Sequence, residues 1–359
     1  MLRGAFIGFG NVAANGHMPG WRSRDDVRIV AATDATGSRR EAFLDACPDG
    51  RWYDTVDDLL LRERLDFVDI CTPPGSHAAL IARALDAGLH VLSEKPLVTR
   101  LNDATRVASA ARRARRVLHT VHNWLKAPIC FKVSALIDGG AIGAVRSVRW
   151  RTLRTQPAIA VGVAGVANWR VDPKLAGGGI LIDHGWHALY CVAAWAGPPR
   201  GVSARLETRR LHEQPLEDTV SLDLETASGL SHIFLTWAAD ERSNAIEIDG
   251  DDGEIRVVGD SVVVRSKAQE RRWSCPPSLS EGSHHPDWFG GVAADFLAAA
   301  TGGGAGNLEE ALLCAAAIDA AQRSSAAGGA WLAPASQTPD GLRVSTSRSR
   351  IARNSTRKK

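Results

Sequence analysis

The sequence predicts an α/β fold in two domains: a parallel sheet covered on both faces over residues 1–123, and an α+β domain with a largely antiparallel, open-faced sheet over 124–335. Three observations lead there. In the first third, continuous apolar runs alternate with stretches of helical period. From about residue 124 the pattern changes to polar–apolar alternation, which belongs to a sheet with one wetted face. After Asp340 the acids stop and seven basic residues remain, so 336–359 reads as a polar tail without a core.

The strands follow in order. "LRGAFIGFG" (2–10) ends in glycines, and "VRIVAATD" (27–34) reads as a second strand. "LDFVDICTPP" (65–74), "LHVLSEKP" (89–96) and "RVLHTVHN" (116–123) supply three more. Between them "SHAALIARALDAG" and "DATRVASAARRA" have helical period. Right-handed crossovers then place ligands at the carboxyl ends of the strands. In the second domain, residues 143–154, 201–209, 218–239 and 244–266 alternate, with "ASG" and "GDDG" as hairpin turns. Two late helices, near 287–300 and 307–325, close the fold.

Composition narrows the function classes. Hydrophobic residues at 45% and charged residues at 23% allow a sizeable core in a soluble chain. No apolar run is long enough to span a bilayer, and the apolar stretch of "MLRGAFIGFGN" is too short for a signal peptide. The six scattered cysteines, with no CxxC, read as reduced thiols and hence a cytoplasmic location. The tail's seven charges turn the formal +3 into −4 for residues 1–340. The tail reads as a solvated end rather than as a nucleic-acid or membrane contact.

The first strand ends in Gly8-Phe9-Gly10-Asn11-Val12-Ala13, the GxGxxG/A pattern of a dinucleotide-binding (Rossmann) domain. Gly8 permits the tight turn, Gly10 lets a pyrophosphate approach the backbone, and small Ala13 lets helix and strand pack closely. Asp34, 24 residues after Gly10 at the end of strand two, sits where a carboxylate accepts the ribose hydroxyls of NAD. The Ser38-Arg39-Arg40 cluster leaves NADP open, since Arg39 could meet a 2′-phosphate. "SEKP" places Glu94, Lys95 and Pro96 at the end of strand four, and the proline fixes the direction in which Lys95 points.

"GGGILIDHGWH" (177–187) puts Asp183 four residues before His187, on one face of a helix. A metal pair, a structural cap with a packed histidine, and an acid–base pair all fit that spacing. With a nicotinamide site already argued, the acid–base reading prevails: Asp183 orients the ring and His187 exchanges a proton. No metal is expected. Trp124, Trp169 and Trp186 lie beside the motifs, where they could stack on a sugar ring, whereas Trp21, Trp195 and Trp331 read as core. His284 and His285 read as a solvated loop.

Taken together, "GFGNVA", "CTPPGSH", "EKP", "NWR" (168–170), "GGGILIDHGWH" and "EDT" (217–219) resemble the glucose–fructose oxidoreductase / inositol dehydrogenase / MocA (Gfo/Idh/MocA) family over nearly residues 1–330. The resemblance implies that Lys95, Asp183 and His187 are catalytic. It also implies cofactor contacts from Thr72, Pro73, His77, Glu94, Asn123, Trp169 and Arg170, and a partner subunit on the open sheet face, giving a homodimer or homotetramer. The expected activity is NAD(P)-dependent oxidation of a secondary alcohol on a sugar, cyclitol or related polyol. Its substrate would lie among Lys95, Trp124, Trp169, Asp183 and His187. Two other readings stay open: a non-catalytic dinucleotide-binding regulator on the same fold, and a cofactor-recycling, glycosidase-like enzyme whose oxidation is only the first step.

Overall fold

The computed structural model describes residues 1–159, 168–213, 215–267, 269–282, 284–302 and 306–336. The basic tail therefore lies outside the described residues from 337 onward. The first sheet holds β1 (Leu2–Ile7), β2 (Val27–Thr33), β3 (Arg51–Tyr53), β4 (Phe67–Ile70), β5 (His90–Ser93) and β6 (Leu118–Thr120). All six are parallel, in the order β3-β2-β1-β4-β5-β6. The order turns back between β1 and β4, which opens a crevice at the carboxyl ends of those two strands. Five of the six strands coincide with apolar runs, and β4 is buried along its whole length. The sixth, β3, is a three-residue edge strand with no buried position, so it left no apolar signature.

The second sheet contains β7 (Val145–Leu153), β8 (Gly201–Glu207), β9 (Thr219–Thr226), β10 (Gly229–Thr236), β11 (Ser243–Gly250), β12 (Gly253–Val258), β13 (Ser261–Ser266) and β14 (Glu270–Ser274). Its order is β14-β13-β12-β11-β7-β10-β9-β8, and only β7 and β10 run parallel. Burial alternates along β9 and β11, as period-2 patterning requires. The outer face is wet: Arg149 reaches Glu247 and Asp249 at 2.8 and 2.9 Å, and His232 meets Asp223 at 2.7 Å. "ASG" and "GDDG" do form the turns between β9 and β10 and between β11 and β12.

Between the sheets lies the helix Trp186–Ala196, buried at nine of its eleven positions and packed on β7. Its immersion, rather than an amphipathic stripe, marks it as the centre of the molecule. The late helices divide. Pro286–Gly302 packs on the first sheet, where Phe289 and Phe296 meet Trp21 and Phe67. Leu308–Ala326 bridges β8 and the helix Leu101–Ala114. Asn307 completes the exposed edge of β6, accepting from the Thr120 N–H at 2.8 Å and donating to its carbonyl at 2.7 Å. The chain thus returns to the first sheet after building the second, a long-range contact that local patterning cannot carry.

Trp21 and Trp195 are buried, as the sequence suggests, but Trp331 is 51% exposed. It sits beside Leu332, which bridges to Val202 along the open edge of β8, so its ring faces solvent. Among the described residues no helix is long and apolar enough to cross a membrane.

Candidate active site

The glycine turn leaves β1 at Gly8, where φ is +89°. A Cβ there would lie 2.7 Å from Thr72 Cγ2 and 2.9 Å from the Cys71 backbone, so no other residue fits. Gly10 differs: a Cβ would meet nothing within 4 Å. Its smallness serves no packing partner within the chain and leaves a space open at the mouth of the crevice. Ala13, by contrast, is fully buried against the sheet. The helix that follows runs through a π turn at Ala13–His17, a local widening common beside functional sites.

Asp34 closes this turn. Its Oδ2 accepts the Phe9 N–H and its Oδ1 the Thr36 N–H, both at 2.7 Å. Each oxygen keeps a lone pair for another donor. Phe9 itself turns inward, its ring packed edge-on against Phe6 and Phe43. Arg39 opens the next helix, half-buried, two turns of chain beyond Asp34. Asn11 and Val12 form the first turn of the helix after the glycines.

The loops after β4 and β5 are tied together by His77. This fully buried imidazole faces the Thr72 and Pro96 carbonyls, each at 2.8 Å, and burial lowers its pKa. It pins the two loops to each other, and Thr72 and Pro73 beside it are half-buried. Glu94 turns back to accept the Lys95 N–H at 2.9 Å. Behind it lies a network that sequence reading missed. His17 Nε2 meets Glu94 Oε1 at 3.1 Å, its Nδ1 meets Asp69 Oδ2 at 2.9 Å, and Trp21 Nε1 donates to the same carboxylate at 2.8 Å. Burial presses the His17 pKa down, but Asp69 and Cys71 outweigh it and raise the pKa well above its usual value. His17, Asp69 and Cys71 are types that bind metal. Their contacts of 2.9–3.3 Å are hydrogen-bond separations, shorter than the ~3.3–3.8 Å between ligand atoms around tetrahedral zinc.

Lys95 and Asp183 come together across 88 residues of sequence. Lys95 Nζ donates to Asp183 Oδ1 at 2.9 Å and to its carbonyl at 2.8 Å. Burial would raise the Asp183 pKa, yet Lys95, His184 and Arg170 hold it well below the usual range. His184 Nδ1 stands 3.3 Å from Asp183 Oδ2. The backbone here is a second π turn, Leu181–Gly185. Trp169 and Arg170 line one small cavity with Lys95 and Asp183, the guanidinium lying 4.4 Å over the Trp169 ring.

His187 is oriented otherwise than its spacing from Asp183 suggests. No ion pair or hydrogen bond joins the two among the described residues; Lys95, a full cation at hydrogen-bond range, holds the carboxylate instead. His187 Nδ1 contacts the Tyr190 hydroxyl at 2.7 Å, and its ring stacks on Trp124 at 4.3 Å. Burial, Lys95 and His184 lower its pKa well below 6.5, so the ring is neutral at physiological pH. The Trp124 N–H in turn donates to Tyr190 OH at 3.0 Å. Trp124 is itself 7% exposed, with Trp150 stacked 5.8 Å away. Trp186 is fully buried and donates to His122, which leaves it no face for a sugar. His284 and His285 are half-buried, less solvated than the sequence suggests: the His284 carbonyl abuts Gly16, and the His285 ring stacks on Trp288 at 3.6 Å.

These residues fit a dinucleotide. Gly10 leaves room for a pyrophosphate, Asp34 keeps acceptor capacity for ribose hydroxyls, and Asn123 Oδ1 is buried without a partner in the protein. Comparison with known proteins points the same way. The family described as "Oxidoreductase family, NAD-binding Rossmann fold" matches residues 2–122, and the GFO/IDH/MocA C-terminal domain matches residues 131–256. D-glucoside 3-dehydrogenase of Escherichia coli is 30% identical over 52% of this chain and 52% of its own length. D-apiose dehydrogenase of Paraburkholderia graminis is 36% identical over 40% of this chain and 38% of its own. The chain thus spans about half, or less, of the length of these curated relatives. An oxidoreductase from Agrobacterium radiobacter, solved with NAD+, L-tartaric acid and magnesium, superposes with a TM-score of 0.82 at 24% identity, covering 92% of this chain and 98% of that one. Two domain signatures in their family order, on a fold of matching topology, show that the chain belongs to the GFO/IDH/MocA family of NAD-binding oxidoreductases.

Proposed function

We propose that the protein is an NAD-dependent dehydrogenase that oxidises a secondary alcohol on a sugar, cyclitol or related polyol. The observation that carries this reading is the Lys95–Asp183 ion pair beside a neutral, buried His187, in the crevice at the strand ends. Two of the curated relatives are named as sugar dehydrogenases, which supports the substrate class. Bound NAD supplies the hydride acceptor. Lys95 Nζ would hold the substrate oxygen and stabilise the negative charge that develops on it. His187 would take the hydroxyl proton, which burial leaves it free to accept at neutral pH. Asp183 would act mainly through Lys95, fixing the ammonium in place. Tyr190 would set the tautomer: when its oxygen accepts the Nδ1–H of His187, Nε2 is the basic nitrogen.

Gly8, Gly10, Asn11, Val12, Asp34, Thr72, Pro73, Glu94, Asn123 and Arg170 are proposed as the cofactor's surroundings, with Asp34 favouring NAD over NADP. A sugar and cyclitol panel assayed with NAD and NADP, followed by nicotinamide absorbance, tests the reading. Reduction of NAD by at least one polyol is expected, and its absence across the panel would favour a non-catalytic regulator. We further propose a cytoplasmic homo-oligomer, supported by six free cysteines and a sheet with one uncovered face. A monomer by light scattering at micromolar concentration would remove the oligomer.

A further inference from the structure

Two motifs take no part in the proposed chemistry, the glycine run 177–179 and "EDT" (217–219), yet they meet beside it. Helical backbone continues from the π turn Leu181–Gly185 into Trp186–Ala196, and no side chain caps it at Ile180. The first N–H groups of a helix have no partner within it and must find one elsewhere. Here a single residue of the second domain serves three in succession. Glu217 Oε1 accepts the Gly179 N–H at 2.9 Å and the Leu181 N–H at 3.1 Å, and the Glu217 carbonyl accepts the Ile180 N–H at 3.1 Å. Gly179, Ile180 and Leu181 are all buried, so these acceptors stand where water would otherwise be needed. A carboxylate at a helix start also suits the backbone dipoles.

Close packing holds the junction from both sides. A Cβ on Gly179 would lie 1.8 Å from the Glu217 carbonyl oxygen, and one on Gly177, where φ is +80°, would lie 2.2 Å from Thr99 Cγ2. The glycines therefore let the turn press between "EDT" and the loop after β5 that carries Lys95. "EDT" is itself anchored. Asp218 is fully buried, its carboxylate accepts the N–H groups of Arg209, Arg210 and Leu211 at 2.6–3.0 Å, and its carbonyl accepts the Trp237 N–H at 2.7 Å. Two residues beyond Leu181 comes Asp183, whose N–H donates to the Gly179 carbonyl at 3.1 Å. Lys95 Nζ donates to both the carboxylate and the carbonyl of Asp183. A shift of this backbone moves both acceptors of the lysine at once, and it carries His187 with it one turn further on.

We propose that Glu217 is a positioning residue of the dehydrogenase site: its Oε1 and carbonyl fix the first turn of the helical segment 180–196, and through that turn the places of Asp183, Lys95 and His187. The proposal rests on the dehydrogenase reading and adds to it a residue that acts only through others. Misplacing reacting groups by about 1 Å costs up to ~10²-fold in rate. The effect belongs in kcat rather than in NAD affinity, because the glycine turn and Asp34 lie on β1 and β2 of the other domain.

The test compares the full-length wild type with Glu217→Gln and Glu217→Leu, using NAD with D-glucose, D-glucitol and myo-inositol. Turnover is counted per chain that binds NAD in calorimetry, at a temperature where every chain is folded by circular dichroism. Glutamine keeps an oxygen for both N–H groups and should hold kcat within about threefold of wild type, whereas leucine offers none and should lower kcat by about 10–100-fold with NAD affinity unchanged. Hydrogen exchange followed by mass spectrometry should quicken over residues 179–187 in the leucine variant and stay unchanged in the first sheet. If Glu217→Leu fails to fold, Glu217→Asp gives the same reading, since its shorter side chain withdraws the oxygen from both N–H groups. Wild-type kcat per NAD-binding chain in the leucine variant, with only its melting temperature lowered, would make Glu217 a structural brace; the inference would fall and the dehydrogenase reading would stand. A glutamine variant as slow as the leucine one would equally overturn the inference, because the acceptor would not be the cause. A wild type that oxidises none of the three polyols would overturn both.

Discussion

Removing either partner of the Lys95–Asp183 pair probes the centre of the proposed chemistry. The charged atoms are 2.9 Å apart and the side chains are 16% and 18% exposed. At an effective dielectric of ~20 their attraction is about 6 kcal/mol, an upper bound because both ions lose hydration. The net value of a charge-assisted hydrogen bond is ~1.5–3 kcal/mol, and stranding one buried partner costs ~3–5 kcal/mol. Lys95→Met strands Asp183, with His184 at 3.3 Å as partial relief, so a loss of about 2–4 kcal/mol is expected. Asp183→Asn leaves Lys95 its carbonyl acceptor and should cost about 1–3 kcal/mol. The double variant should fall short of the sum by at least ~1 kcal/mol.

Urea unfolding of all four proteins at pH 7 measures this cycle. A second arm varies pH. The folded Asp183 pKa is depressed, so the pair's contribution is complete above the unfolded carboxylate pKa of ~3.9 and is lost as pH falls through the lower folded value. The wild-type advantage over Lys95→Met should therefore shrink below about pH 4. Turnover should fall steeply in both single variants. Additivity within ~0.5 kcal/mol would refute the pairing and the role given to Asp183.

His187→Ala should cut turnover by ~10²–10⁴ with NAD still bound, and chelators should leave wild-type turnover unchanged. Because the His187 pKa is lowered, oxidation should hold its rate from neutral pH down past 6.5; an acid limb at or above pH 6.5 would exclude His187 as the base. Asp34→Ala should weaken NAD by ~1.5–3 kcal/mol in titration calorimetry and reduce discrimination against NADP, whereas unchanged NAD affinity would confine Asp34 to capping the glycine turn. His17 has a raised folded pKa, so its contribution to stability is complete below ~6.5 and is lost as pH climbs through the folded value. Unfolding of wild type and His17→Gln at pH 6 and pH 9 should show the difference narrowing at the higher pH, and a constant gap would mean that His17 is not charged between Asp69 and Glu94.

Much of the candidate site was readable because its parts are short motifs at strand ends. The glycine turn with Asp34, "EKP" and "IDHGWH" each announce a residue type at a place the parallel sheet makes meaningful. What was not readable is who holds whom. A spacing of four residues joined Asp183 to His187, but a lysine 88 residues away takes the carboxylate, and Tyr190 with Trp124 takes the imidazole. His17 carries no local signal at all: the fold brings Asp69 of β4 to its Nδ1 and Glu94, just after β5, to its Nε2, and Asp69 with Cys71 raises its pKa.

The sequence by itself determined the order of five of the six parallel strands, the change of texture near residue 124, the dinucleotide turn, and Lys95, Asp183 and His187 as reactive side chains. These follow from periodicity and backbone sterics, which act over a few residues. The tertiary structure alone decided that the helix Pro286–Gly302 returns to cover the first sheet, that Trp331 stays outside, and that Lys95 rather than His187 meets the Asp183 carboxylate. Each of these depends on contacts between residues distant in the chain. Burial and Coulomb attraction act through space, and no local pattern records which distant partner will arrive.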